Sequence, residues 1–166
     1  MGYFRAVLKS EEVSKRAFDL TYDVLMENQG NYTAWYWRRK CIYELKLDLK
    51  EEMRFLNKSY LSMSKVYQYW QHKRVIAQAL VHSKELNVDE EIKTLTLLYN
   101  DDCKNFHMWT YRMWLTEELG LWENEKNFMK IEIALNPTNN SLWNYRYFLN
   151  SKTMKFDGDY VKSEIQ

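Results

Sequence analysis

Apolar residues along the chain return at helical spacing. Val13, Ala17, Leu20 and Val24 step by four, three and four, one stripe of an amphipathic helix read from Glu11 behind a Ser10 cap. Gly30 then punctuates the pattern. Further helix starts are predicted where a cap residue is followed three later by Glu, at Asp48 with Glu51 and at Asn87 with Glu90. Gly120 and the Asn136-Pro137 pair mark helix ends. No strand-like alternation persists between turn signals, and 4 glycines and 1 proline in 166 residues leave few breakers, so a nearly all-helical chain is predicted.

The pattern also repeats. Aligning NYTAWYWRR (31–39), VYQYWQHKR (66–74), NFHMWTYRM (105–113) and NNSLWNYRY (139–147) puts Trp35, Trp70, Trp109 and Trp143 in register, separated by 35, 39 and 34 residues. Arg38, Lys73, Arg112 and Arg146 each follow their tryptophan by three, one helical turn, so indole and cation share a face. A second amphipathic helix fits between successive units, so one period holds one antiparallel helix pair that must stack on its neighbours to bury its apolar side. Residues 1–150 are expected to form a single domain of four such repeats, and 151–166 a polar tail or the start of a further hairpin. The four tryptophans are expected to bolt hairpins together, and Arg38, Arg112 and Arg146 to close onto carboxylates or helix C-terminal carbonyls of a neighbour.

In three units Asn stands four residues before the tryptophan, where it can cap the helix. The second unit has Val66 there, so Ser64 is expected to cap in its place, with Lys65, Val66, Tyr67 and Gln68 in the first turn.

Composition narrows the function classes. A chain of 166 residues makes one domain or part of one. Its apolar fraction is 46%, with no run near the roughly 18 apolar residues a membrane span needs. The opening MGYFRAVLKS is too polar and aromatic for a secretory signal, and Ala6 stands where a myristoylation site wants Ser or Thr. Cys41 and Cys103 have no CxxC spacing, and with His82 they join no metal constellation, so reduced thiols, a cytoplasmic location and no metal on this chain are expected. A net charge of +1, with 24 basic and 23 acidic residues interspersed, gives no global field to recruit nucleic acid or an anionic membrane. Any anion site must be local.

One local site stands out. Lys65 lies at a predicted helix start, where the dipole gives its ammonium no advantage but favours an incoming diphosphate or carboxylate. Gln68 offers a donor and an acceptor nearby, and His107 occupies the same offset in the third unit, two before its tryptophan.

The units NYTAWYWRR, NFHMWTYRM and NNSLWNYRYF resemble the prenyltransferase α-subunit repeat, Asn-x-x-x-Trp-x-x-Arg on helical hairpins. The stretch YFRAVLKSEEVSKRAFDLTYDVLMENQGNYTAWYWRR, residues 3–39, is more specifically similar to the α subunit shared by protein farnesyltransferase and type I geranylgeranyltransferase, with the Rab geranylgeranyltransferase α subunit second. The likeness covers about residues 3–150. It implies an all-α, right-handed crescent of stacked antiparallel hairpins around a separate β subunit, which supplies a catalytic zinc, with magnesium used in farnesyl transfer. The implied enzyme moves an isoprenoid from prenyl diphosphate to the cysteine of a C-terminal CaaX sequence. By the same resemblance Lys65 and Tyr67 are catalytic at the diphosphate, Gln68 receives the substrate's terminal carboxylate, and His107 and Asn105 line the same mouth. Val66, Phe106 and Lys73 depart from the family's usual Asn, Tyr and Arg at their positions.

Two other readings are open. A tetratricopeptide-like scaffold would bind a partner peptide without chemistry, but it calls for small residues between helices where Trp and Arg recur here. Stacking of single-stranded RNA on the aromatic rim is opposed by the near-zero net charge.

Overall fold

In the computed structural model, which describes residues 2–153, ten helices follow one another: α1 Gly2–Lys9, α2 Lys15–Glu27, α3 Tyr32–Glu44, α4 Leu49–Lys58, α5 Tyr60–Met63, α6 Tyr67–His82, α7 Val88–Asp101, α8 Phe106–Leu119, α9 Trp122–Leu135 and α10 Asn140–Thr153. No strand occurs among the described residues, so the predicted all-α class holds. The continuation expected after residue 150 lies, from residue 154 onward, outside the described residues. The chain divides into two compact units, one ending at Asn100 and the other beginning at Asp101.

In the first unit α2 packs on α3, α4 packs on α6 across the single turn of α5, and the two tryptophan-bearing helices α3 and α6 pack on each other. Ala17, Leu25, Trp35, Ile42, Leu56 and Ile76 are at most 1% exposed and form its centre. In the second unit α9 packs on α10, and α10 also packs on α8, around Met108, Leu115, Leu142 and Tyr145.

Helix ends follow local chemistry, with three corrections to the sequence reading. Ser10 closes α1, its hydroxyl donating to the Ala6 carbonyl oxygen at 3.0 Å, and Ser14 caps α2 by accepting from Ala17 N at 3.1 Å. The short helix α1, which buries Phe4 and Val7, takes Ser10 at its own end, and this displaces the α2 cap to Ser14. Asp48 caps α4 through Lys50 N at 2.8 Å, two residues on, whereas Asn87 accepts from Glu90 N at 3.2 Å and donates its side-chain Nδ2 to Glu90 Oε2 at 3.4 Å. Ser64 does not cap α6. The N-cap is Val66, without a side-chain bond, and α6 starts at Tyr67, which leaves Lys65 ahead of the first turn rather than in it.

Gly120 ends α8 in the left-handed conformation at φ 66°, as its sequence context predicts. The turns after α1, α3 and α6 use Glu11, Lys46 and Lys84 in that conformation instead, at φ 51°, 53° and 61°. Those stops carry no glycine signal.

Candidate functional site

The repeat has a recurring internal geometry. Each of the four tryptophans donates its indole N–H to a backbone carbonyl six residues upstream: Trp35 to Gln29 at 2.8 Å, Trp70 to Ser64 at 2.7 Å, Trp109 to Cys103 at 2.9 Å and Trp143 to Pro137 at 2.7 Å. The indole therefore clamps the turn entering its own helix, a role beyond the expected bolt between hairpins. It performs that bolting as well: the Trp35 ring meets His72 of the next hairpin at 5.0 Å and the Trp109 ring meets Tyr145 at 5.0 Å.

Asn31, Asn105 and Asn139 cap their helices as predicted, accepting from Ala34 N, Met108 N and Ser141 N at 3.0 Å each. Three of the cations that follow the tryptophans by three residues find buried carboxylates on the next helix. Arg38 grips both oxygens of Glu52 at 2.7 Å, with its remaining nitrogen 3.1 Å from Thr21 Oγ1. Lys73 reaches Glu91 at 3.1 Å and also Asn57, and Arg112 holds Glu125 at 2.7 and 3.1 Å. Arg146 lies over the Trp143 ring at 5.5 Å.

A third group closes two of these pairs from the next hairpin. His72 Nε2 lies 2.8 Å from Glu52, and the Tyr145 hydroxyl donates to Glu125 at 2.8 Å and meets the Thr116 hydroxyl at 2.7 Å. Both sit two residues after a repeat tryptophan, a position the sequence reading passed over. Burial pushes the Glu52 carboxyl up, but the His72 and Arg38 hydrogen bonds outweigh it and hold the group below its ordinary range. Burial likewise pulls His72 down against the attraction of Glu52, leaving a neutral ring. Lys73 is lowered by burial against Glu91, and the Tyr69 and Tyr145 phenols are pushed up by burial.

Against this buried frame the start of α6 has a different character. Lys65 is exposed, Tyr67 is 61% exposed and Gln68 is partly exposed, whereas Tyr69 and Trp70 directly after them are 0% and 5% exposed. The Tyr69 hydroxyl donates to the Leu56 carbonyl at 2.9 Å and the Trp70 indole holds Ser64, so the two buried rings fix the turn that presents Lys65, Tyr67 and Gln68. With no side-chain oxygen at Val66, the positive end of α6 is not screened by a cap of its own.

In the second unit His107 is partly exposed at the start of α8, beside Phe106, which is 74% exposed, with ring centroids 5.7 Å apart. Asn105, expected to line the substrate mouth, is 5% exposed with its amide oxygen engaged in the α8 cap, so it seats His107 rather than facing solvent. Among the described residues no group of three or more His, Cys, Asp and Glu side chains is placed to hold a metal ion. Cys41 and Cys103 are free thiols, and no described helix is long and apolar enough to cross a membrane.

The profile of the protein prenyltransferase alpha subunit repeat matches residues 14–45, 88–119 and 122–153. These segments hold the hairpins of Trp35, Trp109 and Trp143. The hairpin outside the match is the one with Val66 at its cap, Lys73 at its cation and the extra turn α5. The chain is similar to the protein farnesyltransferase/geranylgeranyltransferase type-1 subunit alpha of Dictyostelium discoideum, 38% identical across 100% of this chain and 53% of that protein. The pea (Pisum sativum) counterpart is 37% identical over 95% of this chain and 46% of its own length. Among solved structures, Candida albicans protein geranylgeranyltransferase-I complexed with GGPP superimposes with a TM-score of 0.87 at 29% identity, covering 99% of this chain and 56% of that one. The chain spans about half the length of the relatives it matches.

Proposed function

The chain belongs to the protein prenyltransferase α-subunit repeat family, and on that premise we propose that it acts as the α subunit of a protein prenyltransferase of the farnesyl or type I geranylgeranyl kind. It works only with a β subunit, and the pair transfers an isoprenoid from prenyl diphosphate to a CaaX cysteine. The observation that carries this reading is the start of α6, where a cation, a phenol and an amide stand outside the core on a turn fixed by two buried rings.

Within the assembled enzyme Lys65 faces the departing diphosphate. Negative charge grows there as the carbon–oxygen bond breaks, so a preplaced ammonium stabilises the transition state more than the ground state. Tyr67 lies beside it, at the junction of diphosphate and isoprenoid. Gln68 hydrogen-bonds the carboxylate that ends the protein substrate, and His107, at the start of α8 behind the Asn105 cap, is a substrate contact of the second unit. The described residues of this chain offer no donor set for zinc or magnesium, so zinc to hold the substrate thiolate, and magnesium for farnesyl transfer, are assigned to the partner's side and no step here runs through them. The choice between farnesyl and geranylgeranyl rests with the partner as well.

The test is co-expression with a farnesyltransferase β subunit, followed by transfer from labelled prenyl diphosphate to a CaaX peptide. Labelled peptide formed only by the pair is the expected result. A complex that binds peptide but transfers nothing returns the chain to a non-catalytic scaffold.

A further inference from the structure

Helix α3 is packed by α2 and by α6, and its buried residues include Ala34, Trp35, Arg38 and Cys41. Tyr32, Tyr36, Arg39 and Tyr43 follow at spacings of four, three and four, which at about 100° per residue line up as one narrow stripe, turned away from Ala34, Arg38 and Cys41 and bordered by Trp35. The three tyrosines are 75%, 56% and 50% exposed, an unusual concentration of aromatic surface on one helix. Between them sits Arg39, half-buried.

Its charge is what distinguishes it. Arg38 next to it has both oxygens of Glu52 at 2.7 Å, and Lys40 has Glu44 at 4.0 Å and the Trp37 ring at 4.6 Å. Arg39 has no carboxylate within ion-pair distance among the described residues. Burial pulls its guanidinium down from the ordinary value, with only the nearby Tyr43 opposing. A guanidinium that has lost part of its water without gaining an anion is under-compensated. A bidentate carboxylate arriving over the flanking phenols would supply the missing partner, and Tyr with Arg is the composition in which interface energy concentrates.

We propose that Tyr32, Tyr36, Arg39 and Tyr43 form an anchoring patch for the partner subunit, and that the patch receives an acidic side chain set in an apolar part of that subunit's surface. This rests on the reading above that the chain assembles with a β subunit. The complementarity is one of charge: a cation lacking an anion, framed by rings that cover it once the partner docks.

The test measures the dissociation constant between this chain and a co-purified farnesyltransferase β subunit. Arg39→Met is expected to weaken association by about 30-fold or more, the hot-spot range, and to flatten its dependence on salt. Arg39→Lys recovers only part of the loss, because an ammonium cannot make the forked pair. Tyr36→Ala weakens association independently, and Arg16→Met, at the surface pair with Glu12, leaves it unchanged. Thermal unfolding of each isolated variant confirms an intact fold. Wild type and both Arg39→Met and Tyr36→Ala binding alike overturns the patch while leaving the proposed function standing. Failure of the wild-type chain to bind a β subunit overturns that reading, and the patch with it.

Discussion

Arg112 on α8 and Glu125 on α9 face each other through two hydrogen bonds of 2.7 and 3.1 Å, at 1% and 2% side-chain exposure, in the same relation that Arg38 has to Glu52. The first three repeats thus carry their cation one turn after the tryptophan and its carboxylate on the following helix. These pairs are buried, so what decides their effect is desolvation, and breaking one leaves a charge without compensation.

Removing one partner should therefore be costly. Glu52→Gln, which keeps the shape and deletes the charge facing both Arg38 and His72, is expected to lower the unfolding free energy by about 3 kcal/mol or more, read from the urea midpoint at unchanged slope. A shift under about 0.5 kcal/mol, the scale of an exposed pair, would show the network to be ornamental.

The network also sets a pH response. His72 is neutral in the fold because burial lowers it, so the unfolded chain binds a proton first as pH drops below the ordinary histidine value of about 6.5. Stability is full above that point and falls as pH moves down toward the lowered folded value. Glu52, held low by His72 and Arg38, adds a second loss of the same sign at still lower pH. His72→Gln, whose amide can still donate to Glu52, should flatten the first of these losses in a series of urea titrations from pH 7.5 to about pH 5. An unchanged slope would mean that another group carries it.

The indole clamp predicts a difference between repeats. Trp70→Phe leaves the Ser64 carbonyl without its 2.7 Å donor in a buried setting, which costs about 1–3 kcal/mol. Trp143→Phe removes the same bond at a residue 43% exposed, where water replaces the donor, and should cost less than about 1 kcal/mol. Equal midpoint shifts in the two variants would contradict the clamp's dependence on burial.

At the start of α6, Lys65→Ala is expected to slow prenyl transfer in the assembled enzyme by about 10²–10³ while assembly with the β subunit is unchanged. Gln68→Ala should weaken CaaX-peptide binding with little effect on prenyl diphosphate. Single-turnover transfer at the wild-type rate would remove Lys65 from the reaction, and the reverse selectivity would remove Gln68 from the peptide end.

The legible part of the chain is what depends on spacing along one helix. Four tryptophans in register gave four turn clamps, because an indole reaches a carbonyl six residues back wherever the same loop and helix recur. Asn31, Asn105, Asn139 and Gly120 acted locally, as their neighbours in sequence required. The failures also have local form but distant cause. Ser64, the expected cap of α6, is buried with its carbonyl under the Trp70 indole, because α5 inserts a turn no periodicity announces.

The carboxylates were decided elsewhere. Glu51 and Glu52 are adjacent and chemically identical, yet Glu51 is exposed and Glu52 is 4% exposed, gripping Arg38 and His72. An acidic residue in the first turn of a helix already has a reason to be there in the helix dipole, so sequence offers no cause to bury one and not the other. By itself the sequence determined the period, the helices and the cation on each tryptophan's face, all set by the 3.6-residue turn. Which glutamate each cation meets, and that His72 and Tyr145 complete the pairs, was settled only by packing of the next helix, because burial is a property of neighbours distant in the chain.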